Sequence, residues 1–252
     1  FYRHYEDGSS SLKNTKTTIK RNNTSLNYTL QFINNWELNH NLQQQTYSRN
    51  YFKVRIAGSD SGNVLMDDLT DEYYSEYECT LNKKYSNSNY TIGIETSNSS
   101  YKNNRITTHK QLIKSQSMFS QYDASIFDYF NFIIGLRFDK YSDYDFVYSP
   151  RIGLMYSYDR RWKFRTSWGK GFRPPSFMER FIDFDHSDNG YKVIGNTELE
   201  PEISNGITAG VEYFHPSIYQ ASLMVYYTQF INHIAEFFLG TQDDGIAKYS
   251  YY

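Results

Sequence analysis

One cysteine, Cys79, stands in 252 residues, which excludes an intrachain disulfide framework. Only 39% of the chain is apolar, below the roughly 45–50% of an average globular domain. No run approaches the roughly 18 apolar residues that a spanning helix needs, which excludes a helical membrane protein. It leaves open a membrane β-barrel, whose strands hide their signal in alternation. The net charge of -2 implies no general field for binding polyanions. The chain has no basic segment followed by an apolar core at Phe1, so no signal peptide is read there. It also has no Gly-rich phosphate loop, no GxSxG elbow and no nucleophile beside a base. Paired acids occur in loops without a second signal for glycosidase chemistry, and no nucleic-acid motif is present. The sequence does not read as an enzyme.

Aromatic residues are abundant instead. They make up 19% of the chain, with 26 tyrosines, a composition that argues against disorder. Their spacing is period two. Phe132, Ile134, Leu136 and Phe138 alternate with Ile133, Gly135, Arg137 and Asp139. The same alternation runs through Ile152–Tyr158, Trp162–Trp168, Ile207–Tyr213 and Ala221–Tyr227, and more weakly around Leu26–Phe32, Phe52–Ile56, Tyr77–Leu81, Tyr90–Ile94 and Tyr122–Ile126. These segments predict ten strands of about 9–11 residues, the length of a tilted membrane crossing. An eleventh is expected near Ile246.

Short turns at Ser86–Ser88, Phe127–Tyr129, Asp159–Arg161 and His215–Ser217 alternate with longer loops at Gly58–Glu72, Lys102–Lys114, Ser142–Phe146 and Gly171–Glu202. Outer-membrane barrels sort their connections this way. Arg137, Asp139, Arg151, Lys163, Arg165 and Glu212 would face a wet interior, and Cys79 would face lipid beside Tyr77 and Leu81. Tyr141, Tyr144, Tyr148, Tyr158, Trp162 and Trp168 are placed to form interfacial girdles. A soluble antiparallel sandwich with one solvated face shares much of this pattern. So does a passive outer-membrane porin or adhesin barrel.

From Gly135 the sequence becomes specific. It reads GLRFDKYSDYDFVYSPRIGLMYSY, then RTSWGKGFRPPSFMERF, then GNTELEPEISNGITAGVEYF. These segments resemble the mid-barrel region of TonB-dependent outer-membrane receptors. In that family an SxGxGFRAPS strand end leads into a long extracellular loop that closes on an NPxLxPE box. Gly171, Phe172, Arg173, Pro175 and Ser176 match the first box, and Asn196, Leu199, Pro201 and Glu202 match the second. Pro174 and Thr197 are the departures. Arg173 and Glu202 bracket the loop base, where a charge pair would pin it.

The resemblance implies an all-β, antiparallel transmembrane β-barrel, roughly half of a 22-stranded one. Residues 1–252 would be a partial barrel domain, with no plug domain and with further strands to follow. It also implies an active transporter in the outer membrane of a Gram-negative bacterium. Such a receptor is energised by the TonB–ExbB–ExbD complex through a missing N-terminal region and carries no intrinsic cofactor. The cargo would be an iron chelate, with haem ahead of a siderophore or cobalamin. In haem receptors of this family a histidine lies between the two boxes. His186 holds that place and is the candidate ligand to haem iron, with Phe181, Phe184 and Tyr191 near enough in sequence to stack on a porphyrin.

The adjacent Asp183, Asp185, Ser187, Asp188 and Asn189 form an acidic cluster, in which Asp185, Ser187 and Asn189 with Gly190 resemble the first half of a calcium loop. Asn196 stands where an EF-hand needs glutamate, so that motif fails. His4, His40, His109, His215 and His233 show no metal-ligand spacing.

Overall fold

A computed structural model describes residues 2–6, 9–56, 61–107, 109–127, 129–187, 190–241 and 245–252, with side chains from Lys13 onward. The strands are β1 (Tyr2–Glu6), β2 (Ser9–Phe32), β3 (Trp36–Arg55), β4 (Val64–Lys84), β5 (Ser88–Asn103), β6 (Lys110–Ile126), β7 (Phe130–Tyr141), β8 (Val147–Ser157) and β9 (Trp162–Arg173). A short helix α1 (Phe177–Phe181) and two short strands, β10 (Asp183–His186) and β11 (Tyr191–Ile194), fill the next connection. Then follow β12 (Glu202–Phe214), β13 (Gln220–Ile231), β14 (Glu236–Thr241) and β15 (Ala247–Tyr251).

Among the described residues eleven strands form one antiparallel sheet, in the order β1 to β9, β12, β13. Each strand pairs with its chain neighbour, skipping the inserted loop. β1 and β13 do not pair with each other, so the sheet is an open segment of barrel wall. Period-two alternation sorts its faces. One cross-strand row runs Tyr28, His40, Cys79, Ile94, Met118 and Phe138. Its large hydrophobic members are exposed, with Met118 at 53% and Ile94 at 55%. An exposed apolar face of this breadth suits lipid and not water. The opposite face carries Arg137, Asp139, Arg151, Lys163, Arg165 and Glu212.

Charged groups on that inner face pair with one another. Arg137 donates to both oxygens of Glu95 at 3.0 Å, to Asp139 at 2.8 Å and to Ser117 at 2.8 Å. Arg165 pairs with Glu212 at 3.1 Å. Phe119 lies flat over Gly93, where an added Cβ would sit 2.3 Å from the ring.

Several expectations need correction. β2 to β6 run 24, 20, 21, 16 and 17 residues, well beyond a membrane crossing. Most of the expected loop Gly58–Glu72 is therefore strand, from Val64 onward; residues 57–60 lie outside the described set. The expected Lys102–Lys114 loop shrinks to the residues between Asn103 and Lys110. Phe52–Ile56 is the top of β3, which turns into β2 through Asn34 and Asn35, both in the left-handed region. The strand near Ile246 is β15, and it joins a separate four-stranded sheet, β10-β11-β15-β14. Tyr148, Tyr158, Trp162 and Trp168 lie exposed. Tyr141 packs on Phe172 and Tyr144 lies under Arg180, both at the long-loop end.

A dry core exists at that same end. Ile106, Val147, Ile182, Leu199 and Ile234 are its buried apolar residues, and all belong to the long connections or the strand ends beside them.

Candidate functional site

The connection between β9 and β12 is built on an ionic knot. Arg173 and Glu202 are register partners at the facing ends of these strands. The Arg173 Nε donates to Glu202, while its two terminal nitrogens grip Glu179 at 2.9 and 3.1 Å. Glu179 also closes a capping box on α1. It accepts from the Ser176 backbone at 2.6 Å, and its own N–H donates to the Ser176 hydroxyl at 3.2 Å. Glu202 further accepts from the backbone of Ile234 at 2.7 Å and faces His233 at 2.7 Å. Arg173 is the chief cause that holds the Glu202 carboxyl down at about 2.

The other box residues have structural places. Pro175 is buried, Gly171 lies against Ser204, and Phe172 packs on Tyr141. Asn196 donates its side-chain amide to the carbonyl of Tyr251 at 3.1 Å and accepts from the Glu198 backbone at 3.0 Å. Leu199 is buried in the loop core, and Pro201 leads into β12. Gly195, just before the second box, is dictated by close approach. A Cβ there would lie 2.5 Å from the backbone of Arg180.

β10 and β11 form a hairpin that pairs His186 directly with Tyr191. The Tyr191 hydroxyl lies 3.0 Å from His186 Nδ1. Phe184 meets the imidazole edge-on at 5.1 Å, and Tyr191 meets it at 5.0 Å. The hairpin therefore unites Phe184, His186 and Tyr191. Phe181, at the end of α1, lies under the Arg180 guanidinium at 4.8 Å.

The acidic cluster is engaged locally. Asp185 takes Lys192 at 2.9 Å and the Ser187 backbone at 3.0 Å, and the Ser187 hydroxyl and Lys192 hold its carboxyl near 2. Asp188 and Asn189 lie outside the described residues. Among the described residues no group of three His, Cys, Asp or Glu is placed to hold a metal ion.

Arg105 fastens the hairpin to the sheet. Its guanidinium lies over the Phe184 ring at 4.5 Å and pairs with Asp68 on β4 at 2.9 Å. Asp68 is nearly buried and also takes Arg49 at 3.6 Å and the Asn103 amide at 3.2 Å. Phe177 of α1 stacks on Tyr101 of β5 at 5.6 Å. Sequence reading missed Arg105, Asp68, Asn103 and Tyr101. Each works through a partner at least 35 residues away in the Asp68–Asn103 case, which no local pattern reveals.

The family model for the β-barrel of TonB-dependent receptor-like proteins matches residues 2–252. The iron-regulated outer membrane virulence protein of Vibrio cholerae serotype O1 is 25% identical over 144 residues, 56% of this chain and 22% of that protein. A double mutant of the Serratia marcescens hemophore receptor HasR, solved with its hemophore HasA and heme, superposes with a TM-score of 0.78 at 14% identity. The match covers 96% of this chain and 46% of HasR. The ferric enterobactin receptor PfeA of Pseudomonas aeruginosa gives 0.74 at 15% identity, covering 97% and 40%. The chain thus spans less than half the length of these relatives, and at such identities the solved structures speak for the fold. The matched family and both solved structures are receptors and not enzymes. The residue boxes, the open antiparallel wall and the match over residues 2–252 together show that this chain belongs to the TonB-dependent receptor β-barrel family.

Proposed function

We propose that this barrel wall is part of an outer-membrane receptor that binds an iron chelate from outside the cell. The receptor then moves it inward with energy delivered by TonB, together with ExbB and ExbD. Haem is the leading cargo and a ferric siderophore the alternative. The observation that carries the haem reading is the His186–Tyr191 pair, a ring whose Nδ1 is oriented by a hydroxyl at 3.0 Å beside Phe184. Ligating imidazoles are held in this way by a partner on the other ring nitrogen. The iron-regulated relative and the HasR complex with heme support the same class, and the siderophore receptors support the alternative.

The test is a haem titration of the full-length receptor in detergent, followed at the Soret band. A saturable shift is expected, with affinity falling at least tenfold in His186→Ala and less in Tyr191→Phe. No shift at micromolar haem, with tight binding of a ferric siderophore instead, makes the siderophore the cargo. Undiminished chelate uptake in cells lacking TonB would sink active transport.

A further inference from the structure

The turn between β5 and β6 carries the β10–β11 hairpin. Ile106 bridges Ile182 in antiparallel fashion, and both are buried. Asp183, the first residue of β10, donates its backbone N–H to the Arg105 carbonyl at 2.6 Å. Thr107 donates to the Phe181 carbonyl at 2.8 Å. Backbone bonds alone therefore fix the base of the hairpin to this turn.

The Arg105 side chain acts further along. Residues alternate in β10, so Phe184 and His186 share one face, and Tyr191, the partner of His186, joins them. Asp185 and Lys192 take the opposite face and pair with each other at 2.9 Å. Arg105 lies on the aromatic face, its guanidinium 4.5 Å from the Phe184 ring centre. Phe184 in turn meets the imidazole edge-on at 5.1 Å. The guanidinium is itself held. It reaches Asp68 at 2.9 Å and the Met66 sulfur at 3.4 Å. Asp68 is 3% exposed and takes the Asn103 amide at 3.2 Å. Asn103 also donates to Thr70 at 2.6 Å and accepts from the Arg105 backbone at 2.6 Å. A guanidinium plane clamped by a carboxylate is a directional support for an aromatic ring.

We infer that Arg105 is a positioning residue for His186: clamped by Asp68, it holds Phe184 against the imidazole and so fixes the direction in which that ring faces an iron centre. Ligation needs the nitrogen lone pair along the iron's axial direction. The Tyr191 hydroxyl sets one ring nitrogen at 3.0 Å, and Phe184 limits the tilt of the ring. Removing a group that orients a ligating histidine directly costs about 10–100-fold in affinity. Arg105 acts one ring further away, so its effect is smaller. The inference rests on the haem reading above and adds to it a residue 81 positions from the ligand.

The test titrates the full-length receptor in detergent with haem and records the Soret and visible bands at saturation. Arg105→Ala is expected to weaken haem binding several-fold and to shift and broaden the Soret band. Arg105→Lys should recover only part, because an ammonium can pair with Asp68 but cannot lie flat on the ring. Phe184→Leu should give the same spectral change as Arg105→Ala. In a His186→Ala background, Arg105→Ala should change nothing further. The Arg105→Ala fold is protected, because Asp68 keeps Arg49 and Asn103, and protease cleavage between 174 and 201 should stay at the wild-type rate. Raised cleavage with a loss of affinity that persists without His186 shows a merely structural part and overturns the inference. So does a wild-type affinity and Soret band in Arg105→Ala. Haem binding that His186→Ala leaves unchanged overturns it while the receptor reading stands. No saturable shift in the wild type removes the haem reading and this inference together.

Discussion

Among the described residues of β2 to β7, the upper and lower parts of the inner surface carry opposite charge. Above Leu26, Leu42 and Tyr77, five cations, Lys13, Arg21, Arg49, Lys53 and Arg55, face three carboxylates, Asp68, Glu72 and Glu76. Lower on the same strands and on β5 to β7, the described inner residues include five carboxylates, Glu37, Glu78, Glu95, Asp123 and Asp139, against Lys84 and Arg137. Backbone, pairing and alternation are the same in both halves. The sign of the charge is what changes with height. The halves also settle their charges differently. The lower one gathers three strands around Arg137, while the upper one ties itself to the loops through Asp68 and Arg105. Alternation decides which face a residue joins, and its level along the strand decides what it meets there.

The contrast breaks first at Arg137. Arg137→Ala leaves Asp139, 1% exposed, without its cation. It should cost about 3–5 kcal/mol, read as a lower temperature for loss of the heat-modifiable barrel band. Arg137→Lys should recover only part, because an ammonium cannot reproduce the planar fork. Next comes Gly195→Ala, whose new Cβ meets the Arg180 backbone. A cost of about 1–3 kcal/mol should fall on the loop alone. Protease cleavage between 174 and 201 should rise while the sheet melts as before.

Glu202→Gln should cost about 1 kcal/mol. It carries a pH signature, because the carboxyl sits at about 2 in the fold against an ordinary 4.5. A depressed acid stabilises fully above its unfolded value and loses that contribution as pH falls through its folded value. Loop protection in the wild type should therefore decline from pH 4.5 toward 2, a step that Glu202→Gln lacks. Smallest is Glu78→Gln. Glu78 stands directly opposite Glu95, so the change should stabilise by about 0.5 kcal/mol in a thermal melt.

β7 to β9, β12 and β13 were legible because their outward residues are apolar and their inward ones polar, as in Ile134 and Leu136 against Gly135 and Arg137. The projecting parts of β2 and β3 hide the signal. Their outer positions include Asn22, Thr24, Gln44 and Thr46, so both faces are largely polar and the alternation vanishes. On β4 the outer positions Asp67 and Asp71 do the same, so Gly58–Glu72 reads as a loop. The two boxes were visible as motifs. The reach of Arg173 to Glu179 and of Glu202 to Ile234 depends on how the loop folds back. Phe184, His186 and Tyr191 lie within eight residues, and a hairpin brings them together. Asp68 and Arg105 meet only because distant strand tops stand at one height.

The small four-stranded sheet has a mechanical consequence. β11 runs parallel to β15, and β15 pairs with β14, so connections on either side of β12 and β13 share one set of backbone bonds. Asn196 ties its side chain to Tyr251, and Glu202 holds Ile234 from the other side. The two loops therefore share one sheet, and neither can be displaced from it without breaking backbone bonds to the other.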